Sequence, residues 1–145
     1  MKLKIKHYNE LSTDELFAIF YARSEVFVVE QKITEEVDMD NNDKDCYHIW
    51  FEEDGKVLSY LRVIAREEDY AYIGRVASVV KRQGLASKLL QEAKEFIRVK
   101  LKKDYIKLSA QSYVISLYEK AGFEVVSEEY LDVNIPHVDM ILNLK

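Results

Sequence analysis

The segment that most constrains this chain runs from Arg75 through Val76-Ala77-Ser78-Val79-Val80-Lys81-Arg82-Gln83-Gly84-Leu85 to Leu90. A β-branched run enters a basic turn holding one glycine, then a helix with Leu85, Leu89, Ala93, Phe96 and Ile97 on one face. A strand feeding an apolar-faced helix through so short a turn commits the chain to layered packing of helix against sheet. The turn also presents the unpaired N–H groups and positive dipole end of that helix, which attract phosphate. Lys81, Arg82 and Lys88 add formal charge there, and Gly84, Ala86 and Ser87 are small enough to let a pyrophosphate reach the backbone.

The remaining elements fall around this unit. Leu3 and Ile5 alternate with lysines in a first strand over Lys2 to Tyr8. Ser12 and Glu15 form a capping box, followed by Leu16, Ile19, Phe20, Arg23 and Phe27 at helical spacing. Lys32 to Asp45 is the one long irregular stretch. Asp54-Gly55 predicts a hairpin between strands over Tyr47 to Glu53 and Lys56 to Arg66. Tyr70 to Val80 reads as a strand, with Gly74 inside it marking a bulge or a close backbone approach. A strand over Tyr105 to Ala110 and a short helix over Val114 to Ala121 follow, closed by Gly122 in a left-handed cap. Phe123 to Tyr130 and His137 to Leu144 are the last strands, joined through Asn134-Ile135-Pro136. The predicted order is β-α-β-β-β-α-β-α-β-β, an α/β (α+β) arrangement with a mixed, mostly antiparallel sheet and flanking helices. Without repeat or linker, residues 1–145 read as a single domain.

Composition excludes several classes. Hydrophobic residues at 48% with charged residues at 32% describe a globular chain. No apolar run approaches the roughly 20 residues of a membrane span, and the alternating N-terminus is unlike a signal peptide. No membrane association is expected, and the lone Cys46 suits a reducing cytoplasm. A net charge of −5 argues against a nucleic-acid partner. Glu30, Glu35, Glu36, Asp38, Asp40, Asp43 and Asp45 crowd one segment, either as a solvated face or as a lure for a cationic substrate. His7, His48, His137 and Cys46 lack short ligand spacing, so no metal is expected.

Lys81-Arg82-Gln83-Gly84-Leu85-Ala86 resembles the GNAT signature Gln/Arg-x-x-Gly-x-Gly/Ala, whose backbone amides hold the coenzyme A pyrophosphate. Ala110-Gln111, Tyr118 and Ala121-Gly122-Phe123 match that superfamily downstream. The chain is similar to its ElaA-like branch through Arg23, the run Val26 to Gln31, Ile73 to Val76, and Ile135-Pro136-His137. Lys81 departs from the Gln or Arg of the signature, keeping the charge but losing the planar fork. The stretch from Arg75 to Lys81 is also about two residues short for the branch.

The resemblance implies acetyl-coenzyme A as cosubstrate and direct attack by a small-molecule or peptide amine. It implies a splay between the parallel strands Tyr70 to Val80 and Tyr105 to Ala110, with Val76, Ala77, Ser78, Lys81 to Ser87, Gln111 and Tyr118 around the cofactor. Tyr118 is the implied acid toward the leaving thiolate. Glu30 and His137 are the candidate bases at family-typical positions, with His48 a third by its titration range. Arg62 and Arg75, inside apolar strands, either line an acceptor pocket with Arg23, Glu30 and Asp38 or form an internal ion network. The alternative to an enzyme is a silent acyl-coenzyme A sensor or docking module. A homodimer through the last strands is compatible with either.

Overall fold

A computed structural model describes residues 1–81 and 84–145. Its eight strands form one sheet. They are β1 (Lys2–His7), β2 (Tyr47–Glu53), β3 (Lys56–Ile64), β4 (Tyr70–Ser78), β5 (Tyr105–Gln111), β6 (Glu124–Val125), β7 (Tyr130–Asp132) and β8 (Ile135–Asn143). The spatial order is β1-β2-β3-β4-β5-β8-β6, with β7 also on β8. Every pairing is antiparallel except β4 with β5.

Strand alternation sorts the helices to the two faces. Helix α1 (Thr13–Arg23) covers the face showing Trp50, Val57 and Tyr60, burying Ile19 and Ala22 against them. Helix α2 (Leu85–Phe96) covers the opposite face, where Leu89, Leu90 and Ala93 meet Ile49, Leu61, Val63, Ile73 and Ile106. Each such leucine contributes about 1.5–3 kcal/mol by leaving water, more than local helix propensity supplies. Both helices end in a π-helical turn, over Ser24–Glu30 and Ile97–Leu101. Helix α3 (Ile115–Lys120) is short and follows a 3-10 turn over Ser112–Val114.

The expected capping box is present: Ser12 Oγ accepts from the Glu15 amide, and Glu15 returns the bond to the Ser12 amide. Glu15 is buried and also takes Lys4 and Lys6 from β1. Burial works to raise its pKa, but the Ser12 amide and the two ammonium groups outweigh this and hold it at about 2. Gly122 has φ +99°, and a Cβ there would stand 3.1 Å from Leu142 Cδ1, so conformation and space both ask for glycine.

Three expectations are corrected. The strand forecast over Phe123 to Tyr130 is two short strands, β6 and β7, adding one strand to the predicted order. Val133 and Asn134 both take positive φ and turn β7 straight back into β8, which therefore begins at Ile135. Pro136 lies inside β8 instead of in the connection, opposite Leu131, and β5 joins β8 only from His137 onward. A proline suits that half-paired position because it has no N–H to offer a second neighbour.

Gly74 is not the left-handed residue of β4. Tyr60 faces Ala77 and Arg62 faces Gly74, so Arg75 and Val76 together oppose Leu61 as a bulge, and Arg75 carries φ +52°. Parallel pairing of β4 with β5 runs from Tyr70↔Tyr105 to Ile73↔Leu108 and stops there. Both strands continue, to Ser78 and Gln111, and the wedge that opens between them positions the site.

Candidate active site

A cavity of about 580 Å³ fills the wedge. One wall is the bulged end of β4, with Arg75, Val76 and Ser78, and the facing wall is β5 with Leu108, Ser109 and Gln111. Past the bulge, the amides of Val79 and Val80 both donate to Leu58 O (3.0 and 3.2 Å), so the chain hugs β3 before the turn into α2. Gly84 caps α2 at φ +65°, and Gly84, Leu85 and Ala86 line the cavity. Among the described residues nothing lies within 4 Å of a Cβ built on Gly84, so they leave the helix start open. Lys81 is at the same mouth, its Nζ donating to Ser78 O (2.9 Å) and pairing with Glu30 (2.8 Å).

Several expected cofactor contacts lie elsewhere. Ala77 is buried against Val26 and Phe27 and does not line the cavity, while its neighbours Val76 and Ser78 do. Ser87 is also absent from the lining. Arg82 and Gln83 lie outside the described residues. Gln111 lines the cavity, and its Nε2 donates to Gln31 Oε1 (3.0 Å), tying β5 to the end of the first helix.

Tyr118 borders the cavity from α3. It is almost fully buried, packed edge-on against Phe123, and its pKa is raised by burial and then by Tyr113 and Tyr72. It is therefore a neutral phenol throughout the physiological range. His137, buried on β8, lines the opposite side. Its Nδ1 lies 2.7 Å from Ile135 O, and a carbonyl can only accept, so Nδ1 carries a proton and the lone pair of the neutral ring falls on Nε2. The ring stacks on Tyr130, whose hydroxyl bridges Ser109 and Asp139.

The two other candidate bases are placed differently. Glu30 is half-exposed, held by Lys81, and outside the cavity lining. His48 is fully buried away from the cavity, with Nε2 donating to Asp43 O (3.0 Å) and Nδ1 accepting from Tyr60 (2.7 Å). Burial lowers its pKa, so it stays neutral. Cys46 is beside it, its thiol pushed up to about 12 by burial. Asp43, Cys46 and His48 bring ligand-type atoms within 4.8 Å of one another. Both nitrogens of His48 are engaged and two guanidinium groups flank Asp43, so this cluster offers a cation little.

The arginines form the network that was one of the two sequence readings. Arg23 is fully buried, giving Nε to Asp38 (3.0 Å) and Nη1 to Asp43 (2.6 Å). Burial opposes its charge, but Tyr60, Asp43 and Asp38 outweigh that and raise its pKa. Arg23 does not line the cavity, which corrects its assignment to substrate binding. Arg62 bonds Asp40 (2.7 Å) and Asp43 (3.0 Å), and Arg75 bonds Asp38 through Nε (3.1 Å). Asp43 is held at about 2, burial working upward and the Arg23 and Arg62 contacts prevailing. Asp38, Arg62 and Arg75 do line the cavity, so the network is both internal and part of a wall.

Residues passed over in the sequence also reach the cavity, among them Phe27, Tyr72 and Asp132. Tyr72 and Asp132 had no motif to mark them, since the wedge and the β7–β8 turn that deliver them are tertiary.

The model of an acetyltransferase (GNAT) domain matches residues 8–144. The UPF0039 protein C11D3.02c of Schizosaccharomyces pombe is 35% identical over 144 residues, spanning 96% of this chain and 95% of its own length. An acyl-CoA N-acyltransferase from Pseudomonas aeruginosa superposes with a TM-score of 0.90 at 36% identity, covering 98% of this chain and 99% of its own. Escherichia coli ElaA superposes with a TM-score of 0.90 at 27% identity, covering 99% and 100%.

Proposed function

Because this chain belongs to the GNAT acetyltransferase family, whose reaction is acyl transfer, we propose that it moves an acetyl group from acetyl-coenzyme A to a primary amine by direct attack. The observation that carries this reading is the wedge itself. A parallel strand pair stops pairing at Ile73↔Leu108 and leaves backbone free along a cavity that ends at an open helix start. A pantetheine arm can pair with that backbone as an added strand does, while the α2 amides at Gly84 to Ala86 and Lys81 face the pyrophosphate. Bound acetyl-coenzyme A supplies the activated acyl group and a thiolate leaving group.

The protein's own groups then manage protons. An alkyl amine with pKa about 10.4 arrives mostly protonated and must lose a proton before attack. His137 is the better-placed base, since the lone pair of its neutral ring falls on Nε2 and the ring lines the cavity, whereas Glu30 lies outside it. Tyr118 donates to the departing thiolate; the dry surroundings that disfavour its phenolate also raise the proton affinity of the sulfur. Residues 1–145 act in this reading as one acetyltransferase domain, in the cytoplasm, on a small-molecule or peptide amine, alone or as a homodimer. Among the described residues no helix is long and apolar enough to cross a membrane.

Thiol release from acetyl-coenzyme A, followed across an amine panel, tests the reading. Tyr118→Phe is expected to lower kcat about a hundredfold while leaving cofactor affinity near that of the wild type. An unchanged kcat removes Tyr118 from the chemistry, and binding without turnover of any amine favours a sensor.

A further inference from the structure

The acidic segment, read as sequence, suggested a cationic acceptor, and its folded arrangement commits three of its aspartates to arginines instead. All six carboxylate oxygens of Asp38, Asp40 and Asp43 accept hydrogen bonds from guanidinium groups. An ammonium entering the cavity meets carboxylates whose charge the three arginines already offset. The arginines, in contrast, have donors left over. Arg75 uses Nε and Nη2 on Asp38 and Asp40, and among the described residues its Nη1 has no partner. Arg62, 4% exposed, has a buried Nε with no partner, set against Gly74, whose ideal Cβ would lie 3.7 Å from it. Both arginines line the cavity. Of these two donors the Arg62 Nε is the buried one, and a buried polar group without a partner is rare enough to mark a functional site.

We infer that the acceptor carries a carboxylate beside its amine, bound by Arg75 on the wall that Arg62 completes. This rests on the acyl-transfer reading of the same cavity. Arg75 holds a left-handed backbone at the bulge, a conformation unfavourable for a non-glycine residue that persists where its surroundings dictate it. The clamp on Asp38 fixes the guanidinium plane, so the free edge is pre-aimed and little side-chain entropy is lost on binding. Glu36 and Asp132 also line the cavity and lie in no ion pair among the described residues. They would repel a carboxylate and attract an ammonium, which orients a dipolar acceptor with its acid toward Arg75 and its amine toward His137. The class is an amino acid or a related amino carboxylate, not a polyamine.

The test compares amines that differ only in the carboxylate: phenylalanine with phenethylamine, lysine with cadaverine, β-alanine with ethylamine. Thiol release at saturating acetyl-coenzyme A gives kcat/KM for each. The carboxylate-bearing member is expected to lead in at least one pair by roughly ten- to a hundredfold, the worth of a charged hydrogen bond. Arg75→Gln is expected to collapse that ratio toward unity; should the variant not fold, the wild-type ratios decide alone. Equal or better use of the carboxylate-free member in every pair overturns the inference, as does a variant that slows both members by one factor. Calorimetry with acetyl-coenzyme A keeps the parent reading separate: no binding removes that reading and this one with it, whereas binding without carboxylate preference removes this one alone.

Discussion

The two ends of the cavity are built on opposite plans. At the Asp38–Asp43 end, carboxylates are saturated by arginines from three separate elements, and the network is sealed from water around Arg23. At the Gly84 end, the helix start faces open space among the described residues, and the ion pair of Lys81 with Glu30 is about half-exposed on both sides. The first end uses charge to hold a shape. The second leaves charge and backbone donors available to a ligand. A buried pair is fixed because breaking it strands an ion in a dry place, while an exposed pair exchanges partners at almost no cost.

Asp43→Asn should show the largest effect on stability. It takes from Arg23 one of its two carboxylate partners and weakens the hold on Arg62, and denaturant unfolding is expected to register a loss of about 3 kcal/mol. A loss near zero would mean that the network is not what fixes this end. The same contacts predict the pH response. The Asp43 pKa in the folded state, about 2, is depressed below the unfolded value of 3.8, so its contribution is complete above about pH 4 and fades as pH falls toward 2. Wild-type stability should therefore drop across that window, and Asp43→Asn should drop less.

Glu30→Gln should show the smallest effect. Unfolding free energy is expected to move by less than about 1 kcal/mol, since the pair is exposed. Acetyl-coenzyme A should bind about threefold more tightly, because Lys81 is released from a competing carboxylate. A large stability loss here would erase the contrast between the two ends.

The open end was legible in the sequence because its features are local. The strand, basic turn and helix lie in one continuous run from Tyr70 to Phe96, and the Ser12–Glu15 box and the Gly122 cap obey rules spanning only a few positions. The closed end was not legible. Its contacts join Arg23 to Asp43, Arg62 to Asp40 and Arg75 to Asp38, separations of 20, 22 and 37 residues, and a cluster of aspartates looks the same whether solvated or paired. The left-handed backbone at Arg75 was hidden for a similar reason: Gly74 beside it is the residue that local rules select. The early turn into β8 escaped because Val133, β-branched, is a poor sequence marker for a positive-φ turn.

Acetyl-coenzyme A binding to wild type and to Gly84→Asp, measured by calorimetry, tests the central claim most directly. Space around position 84 is open and aspartate tolerates a left-handed backbone, so the variant should fold while placing a carboxylate where the pyrophosphate is proposed to sit. The account predicts wild-type binding on the order of micromolar and a loss of about tenfold or more in the variant. Equal affinity in the two proteins would contradict it, because the helix start would then play no part in holding the cofactor.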